Sequence, residues 1–300
     1  MPFFSVVIPT FNSANKIHRA IDSVLSQTYG NFEILVMDDG SEDNTAEVVS
    51  RYKSVKLIYK NDINFGGPAR PRNRGIELAN GEWICFLDAD DWWTNNKLQA
   101  CFDCINDNVD LIYHDLAVIS EESLFLKRKT INSWHLKKPI LMDLLLNGNP
   151  IANSSTVVRK SLFKLIGGIN EKSELIAAED YHTWLRLAQL TDQFVYLPEK
   201  LGYYLAHNQS ISKKDMSGAY MESIKEFFTS LTIKQQRVIN SNAAYMSGKH
   251  YYLKKEYKVA FIKLLKSIIG AKVGTAMRAL LLLIIIIYRA ILGFFLIRDK

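Results

Sequence analysis

The chain has 300 residues, 48% hydrophobic and 23% charged, which suits one large α/β domain with an appendage or two domains and excludes a disordered chain. The net charge of +6 is unevenly spread: residues 211–300 hold 16 Lys+Arg against 5 Asp+Glu, and residues 1–210 hold 21 against 26. In the basic third, Lys alternates with Leu, Ile and Tyr, as in KHYYLKKEYKVAFIKLLKSII (249–269). That mix excludes a nucleic-acid partner and fits an anionic membrane surface, a solvated face being the plain alternative.

FSVVIP (4–9) predicts a first strand, and the apolar rhythm Ile17, Ala20, Ile21, Val24, Leu25 predicts a helix over 14–27. FEILVM (32–37) is the second strand, and Asn44 is a candidate cap for a helix reaching Tyr52. VKLIY (55–59) is the third strand, followed by a helix over 69–79. WICFL (83–87) is the fourth, followed by a helix over 95–105, and VDLIY (109–113) is the fifth. Short runs that are apolar on both faces, separated by helices, predict an α/β fold with a mostly parallel sheet covered on both sides. Beyond residue 115 the regularity fades. Residues 153–158 and 193–197 are candidate strands, 178–190 is a helix, and everything from about 217 onward reads as helical. The expected organisation is a domain over 1–215 and a helical region over 216–300.

Residues 279–297 are apolar apart from Arg289 and would form a helix about 28 Å long, close to a hydrocarbon core. A central Arg costs roughly 2.5–3.5 kcal/mol on insertion. A monotopic or re-entrant helix, a true span and a packing helix all remain open. Lys254, Lys255, Lys258, Lys263, Lys266, Lys272 and Arg278 favour anionic lipid nearby. The opening MPFFSVVIPTFN has no basic leader. With only Cys85, Cys101 and Cys104, an odd number, it points to a reducing compartment. The CxxC of Cys101 and Cys104 lacks a second pair for zinc and reads as packing.

Ligands of doubly wound sheets bind outside the carboxyl ends of the strands. Here those ends carry Pro9-Thr10-Phe11-Asn12, Asp38-Asp39-Gly40-Ser41, Asn64-Phe65-Gly66-Gly67 and Asp88-Ala89-Asp90-Asp91. Turn chemistry accounts for Asp38 and Asp39, and helix capping for Asp90 and Asp91. Taken together, five carboxylates at one edge are unfavourable without a cation, since FLDADDWW has no Lys or Arg before Lys97. Mg²⁺ or Mn²⁺ held by an Asp-x-Asp at a strand end, with phosphate oxygens completing its shell, resolves the crowding. Trp92 and Trp93 read equally as core or as a stacking platform for a sugar. The isolated histidines His114, His135, His182 and His250 have no metal-ligand spacing.

Four blocks in order resemble the family 2 inverting glycosyltransferases: SVVIPTFNSANKIHRAIDSVLSQTYGNFEILVMDDGSEDNT, GGPARPRNRGIELANGEWICFLDADD, AAEDYHTWLRLA (177–188) and HNQSIS (207–212). The resemblance implies a GT-A (Rossmann-like) fold over about residues 4–212 and roles at matching positions. Thr10, Phe11 and Asp39 would line the nucleotide base and ribose. Arg72 would face the diphosphate, with Arg70 as a substitute because Pro68 and Pro71 alter the loop before it. Asp88 would contact ribose or metal, and Asp90 would ligate the metal. Asp180 would be the general base, Glu179 the less favoured candidate, and His207 and Ser210 would close over the diphosphate. Without that match, Glu179 and Asp180 would read as acidic residues favoured by the helix dipole.

The resulting expectation is a metal-dependent inverting hexosyltransferase with a UDP-sugar donor. Its acceptor would be a lipid-linked saccharide of the polyprenyl diphosphate type, in O-antigen or capsule assembly at the cytoplasmic face of the bacterial inner membrane. The alternative is a non-catalytic nucleotide-sugar-binding scaffold. A processive synthase would need several spans and Gln-x-x-Arg-Trp, and a dinucleotide dehydrogenase would need Gly-x-Gly-x-x-Gly where PTFNSAN stands.

Overall fold

A computed structural model describes residues 1–53, 57–120, 129–131, 133–207 and 214–298. The chain divides into two compact units, Met1–Asn208 and Gln209–Lys300. In the first, β1 (Phe4–Thr10), α1 (Ile17–Leu25), β2 (Phe32–Asp38), α2 (Thr45–Ser50), β3 (Leu57–Asn61), α3 (Ala69–Leu78) and β4 (Trp83–Phe86) alternate as the apolar pattern predicts. β1 and β2 are buried throughout, and their side chains are mostly apolar on both faces, with buried Ser5 donating to Glu33. The four strands pair in parallel as β3-β2-β1-β4. α3 lies directly on β1 because Gly75 has no side chain: a Cβ there would stand 2.4 Å from Val7 Cγ1. Asn44 precedes α2 without a side-chain cap. Asp43 takes that place, its Oδ1 accepting from the Thr45 N–H at 3.0 Å.

The second half continues with β5 (Trp92–Trp93), α4 (Lys97–Cys104), β6 (Leu111–Ser120), β7 (Lys129–Ile131), α5 (Ile140–Asn147), β8 (Val157–Arg159), α6 (Lys160–Leu165), α7 (Glu179–Ala188) and β9 (Phe194–Ala206). The full sheet order is β3-β2-β1-β4-β8-β6-β9-β5, with β7 on β6. β8 runs antiparallel between β4 and β6, and β5 antiparallel on β9, while β6 and β9 are parallel. The mostly parallel expectation therefore holds for β1–β4 and is corrected beyond them, where the sheet is mixed. Apolar runs report burial, not strand direction, and β9 is only partly covered. Of the candidate strand at 153–158, Asn153–Ser155 is instead a 3₁₀ turn leading into β8. The core gathers Phe4, Val6, Ile8, Ile34, Trp83, Cys85, Trp93, Leu98, Cys101 and Ile112. Cys85 and Cys101 are free and buried, so packing is their place; burial pushes their thiols up to about 11 and about 12.

The second unit holds α8 (Ser217–Phe228), α9 (Ile233–Leu253), α10 (Tyr257–Ile268) and α11 (Val273–Arg298). Thr232 and Gln235 form a capping box that starts α9. Ala260, Leu264, Ala279, Leu283 and Ile286 make a separate small core. α11 thus spends one stripe on its neighbours, while Met277, Leu281, Ile284 and Tyr288 are each about 60% exposed or more. Val273–Ile291 is long and apolar enough to cross a membrane by length and composition. Arg289 has a partner inside the unit, donating from Nη1 to Tyr257 Oη at 2.6 Å.

Candidate functional site

The ends of β1 and β2 are stitched together. The Thr10 carbonyl accepts from the Asp39 N–H at 2.8 Å. Thr10 is buried, its Oγ1 without a partner among the described residues, and Phe11 next to it is half exposed. Asp38 is a structural acid: its carboxylate accepts from Ser41 Oγ and Tyr59 Oη, both at 2.6 Å. Asp39 reaches across to accept from the Phe65 N–H at 3.1 Å. Burial raises the Asp39 carboxyl above its ordinary range, against the backbone donors of residues 65–67. Gly40 permits this close approach. It has φ 77°, and a Cβ there would meet Asn64 N at 2.8 Å.

At the end of β4, the three carboxylates of FLDADDWW go to three different partners. Asp88 Oδ1 accepts from Arg72 Nη2 at 2.7 Å and from Asn153 Nδ2 at 3.1 Å, and its N–H donates to Ser154 Oγ at 3.1 Å. Asp90 Oδ2 lies 2.8 Å from His207 Nε2. Burial, then Asp88, raises the Asp90 carboxyl, with His207 opposing. Asp91 does not cap α4, as its place ahead of that helix suggested. It is buried and accepts from the Leu205 N–H at 3.0 Å, pinning β9. Burial, then Asp90 and Asp88, hold it well above the carboxylate range.

The two tryptophans differ in burial, Trp92 being partly exposed and Trp93 buried. Trp92 stacks on Tyr203 at 5.1 Å between centroids, and the Arg19 guanidinium lies 4.6 Å from its ring centre. Trp93 is buried and donates from Nε1 to the Ser154 carbonyl at 2.7 Å. Lys97 is buried too, its Nζ 3.7 Å from the Trp93 ring centre. The choice between core and platform resolves to packing for Trp93, while Trp92 is engaged by Tyr203 and Arg19.

The cation missing from the local sequence comes from α3, which corrects the idea that positive charge must arrive only with a ligand. Arg72 is 4% exposed and bridges Asp88 and Glu179, Nη1 donating to Glu179 Oε1 at 2.6 Å. Burial opposes its charge, but the two carboxylates outweigh it and hold the guanidinium above its ordinary value. Arg70 does not take this position. It lies over the Phe65 ring at 3.4 Å and 3.6 Å from Glu171. Glu179 is buried, and its Oε2 has no partner among the described residues.

Asp180 sits in the first turn of α7, with Oδ1 accepting from the Tyr181 N–H at 2.6 Å. Burial, then Glu179, push its carboxyl up to about 7, with Arg72 opposing. A carboxyl poised there can exchange a proton near neutral pH. Ser210 lies outside the described residues.

The structure therefore brings Arg72, Asp88, Asp90, Glu179, Asp180 and His207 into one network, with Thr10, Phe11 and Asp39 at the adjoining strand ends. Asn153 and Ser154 were missed. Their only signal is the polar run NSS ahead of an apolar VV, in a stretch where no motif stands out. Among the described residues, no group of three or more His, Cys, Asp or Glu is arranged to hold a metal without help from a ligand.

A family model, "Glycosyl transferase family 2", matches residues 5–167. The chain is 33% identical over 217 residues to "Amylovoran biosynthesis glycosyltransferase AmsB" of Erwinia amylovora, covering 67% of this chain and 69% of that protein. It is 30% identical over 185 residues to "UDP-Glc:alpha-D-GlcNAc-diphosphoundecaprenol beta-1,3-glucosyltransferase WfgD" of Escherichia coli, covering 61% and 68%. Among solved structures, S. aureus TarS 1–349 in complex with UDP-GlcNAc superposes with a TM-score of 0.61 at 19% identity, covering 91% of this chain and 82% of that one. Mannosyltransferase PcManGT from Pyrobaculum calidifontis, in complex with GDP-Man and Mn²⁺, superposes at 0.61 and 15% identity, covering 92% and 78%. At those identities the structural likeness speaks for the fold alone.

Proposed function

This chain belongs to glycosyl transferase family 2 and is a glycosyltransferase, and on that premise we propose that it moves a hexose from a UDP-sugar to a lipid-linked saccharide with inversion. The observation that carries the reading is the Asp88–Arg72–Glu179 bridge, which ties the carboxylates at the end of β4 to the helix bearing Asp180. WfgD, by its name, uses a UDP-sugar and a diphosphoundecaprenol-linked acceptor, and it supports both substrate classes. AmsB, by its name, belongs to polysaccharide biosynthesis and supports surface polysaccharide assembly as the setting.

Thr10, Phe11 and Asp39 bind the nucleotide base and ribose. His207, held by Asp90, approaches the diphosphate, with the charge of Arg72 behind Asp88. Asp180 takes the proton of the acceptor hydroxyl as that oxygen forms its bond to the anomeric carbon. The bond from that carbon to the diphosphate oxygen breaks on the opposite face, and the nucleoside diphosphate leaves with the electron pair. The residues present fit a divalent ion. Asp88 and Asp90 are hard oxygen ligands whose second oxygens, Oδ2 and Oδ1, have no hydrogen bond to a side chain among the described residues. One or two carboxylates with substrate phosphates is the usual magnesium set. Mg²⁺ or Mn²⁺ held there would stabilise charge on the departing diphosphate.

Membrane contact through the exposed face of α11 and the lysines of α10, on the cytoplasmic side, completes the proposal. The test is a hydrolysis screen of UDP-, GDP- and dTDP-sugars with and without Mn²⁺. The expected outcome is Mn²⁺-dependent release of UDP. Metal-indifferent hydrolysis, or a preference for another nucleotide, would overturn the donor and metal parts.

A further inference from the structure

Lys97 is a buried cation to which the candidate site gives no role. It opens α4, and none of its surface is exposed. Its Nζ has no hydrogen-bond partner among the described residues. What it meets is the face of the Trp93 ring, 3.7 Å from the ring centre. The titratable groups that interact with it, Cys85, Cys101 and His114, bring no negative charge. Cys85 and Cys101 are free thiols, which burial pushes up and so keeps uncharged. His114 is neutral, pushed down to about 3 by burial and then by Lys97 itself.

Lys is almost never fully buried unless paired, because taking an ammonium out of water is unfavourable. A methionine of similar length would pack on the same indole without that charge. A local rule broken inside a well-packed core points to a gain elsewhere. Here the gain lies in geometry. The attraction between an ammonium and the face of an indole strengthens when both are desolvated, and it fixes the plane of the ring. The edge of the same ring faces the site: Nε1 donates to the Ser154 carbonyl at 2.7 Å, and Ser154 Oγ accepts from the Asp88 N–H at 3.1 Å. The ladder between β4 and β8 ends at Cys85 and Val157. Beyond it, the Ser154 contact ties Asp88 to the neighbouring turn. Asp88 in turn holds Arg72 and Asn153.

We propose that Lys97 is a positioning residue, fixing the plane of Trp93 so that Ser154 holds Asp88 where the donor requires it. This rests on the reading of the chain as a transferase that takes a UDP-sugar, and deepens it. The test compares Lys97→Met, Trp93→Phe, which keeps a ring and removes the Nε1 donor, and the double variant. Each full chain is assayed for UDP-glucose hydrolysis with Mn²⁺ and for urea unfolding. Lys97→Met is expected to raise the donor KM tenfold or more, with a urea midpoint equal to or above that of the wild type. A merely structural lysine would not weaken the donor while sparing stability. Trp93→Phe is expected to raise the donor KM similarly, and the double variant no further than the larger single effect, since both act through one path. An unchanged donor KM in Lys97→Met would overturn the role, and so would single effects that multiply in the double variant. A Lys97→Met chain that unfolds at lower urea, or does not fold, would make Lys97 a stabilising core residue and overturn it too. In each of these cases wild-type hydrolysis leaves the donor reading standing. A wild type that hydrolyses no UDP-sugar would remove the donor reading and the role with it.

Discussion

The carboxylate edge of the first unit and the apolar helix of the second both set charge against greasy surroundings, and they settle it differently. At the edge, the charged groups around Asp88 have partners distant in sequence. Arg72 binds Asp88 and Glu179, Asp90 meets His207, and Asp91 holds the Leu205 N–H. The groups are fixed before any ligand arrives, which is what electrostatic preorganisation requires. In α11, Arg289 is satisfied by Tyr257, yet the apolar surface of Met277, Leu281, Ile284 and Tyr288 stays uncovered. The first region is closed by its own chain. The second is left open by the described residues of its own unit, and the surrounding lysines suit the anionic bilayer proposed for it.

The sharpest way to break the first half of that contrast is to remove its central cation. Arg72→Met leaves Glu179 and Asp88 facing each other without compensation. Losing one partner of a buried ion pair costs about 3–5 kcal/mol, so urea unfolding should shift by that much and transfer should vanish. Arg72→Lys should recover part of the stability but little turnover, because a single ammonium cannot bridge both carboxylates as the guanidinium fork does.

Asp180→Asn keeps the shape and removes the base. A general base contributes about 10²–10⁴ in rate, so kcat should fall by that range while donor binding, measured by titration calorimetry, stays intact. Wild-type kcat should climb with pH through about 7, because the burial-raised Asp180 carboxyl is protonated below that value and cannot accept a proton. The stability sign is opposite. A carboxyl raised in the folded state favours folding while protonated, and that contribution fades as pH rises from near 4 through 7. Asp180→Asn should flatten stability across this window. Full activity in the variant would remove Asp180 as base.

Asp90→Ala should lower kcat/KM by about 10²–10³, the usual effect of losing one group that stabilises developing charge. UDP affinity, measured with Mn²⁺ and with EDTA, should become indifferent to the metal. If wild-type affinity is already indifferent, the metal reading falls.

On the other side of the comparison, Leu281→Asp with Ile284→Asp places charge on the uncovered face of α11. Burying an aliphatic side chain is worth about 1.5–3 kcal/mol, so sedimentation with phosphatidylglycerol vesicles should drop tenfold or more. Donor hydrolysis should be unaffected. Unchanged binding after deleting residues 270–300 would end the membrane reading.

How much of this was legible depends on whether a contact is local. β1–β4 were readable because burial on both faces leaves a continuous apolar run, and the position of Asp39, Asp88 and Asp90 because each directly follows such a run. The mixed half was not, since no local pattern distinguishes a parallel strand from an antiparallel one. The fate of Asp91 was hidden for the same reason: its partner is a backbone N–H 114 residues away. Arg72 was singled out through family resemblance, but its bridge to Glu179 was not readable, because Glu179 lies 107 residues further on. Asn153 and Ser154 carry no motif, and only the insertion of β8 beside β4 brings them to Asp88.

The smallest expected effect tests the two tryptophans against each other. Trp92 is engaged by Tyr203 and Arg19, with no direct hydrogen bond to a site carboxylate among the described residues. An aromatic pair adds about 0.5–1.5 kcal/mol beyond area, so Trp92→Leu should cost about that in stability and leave both KM values within twofold. Trp93 is linked to the site: its Nε1 holds the Ser154 carbonyl, and Ser154 Oγ accepts from the Asp88 N–H. Trp93→Leu loosens that clamp and should raise donor KM as well as lower stability. A tenfold rise in either KM for Trp92→Leu would mean that its ring touches a sugar after all. The carboxylate edge would then be open on a side where the packing of Tyr203 and Arg19 closes it.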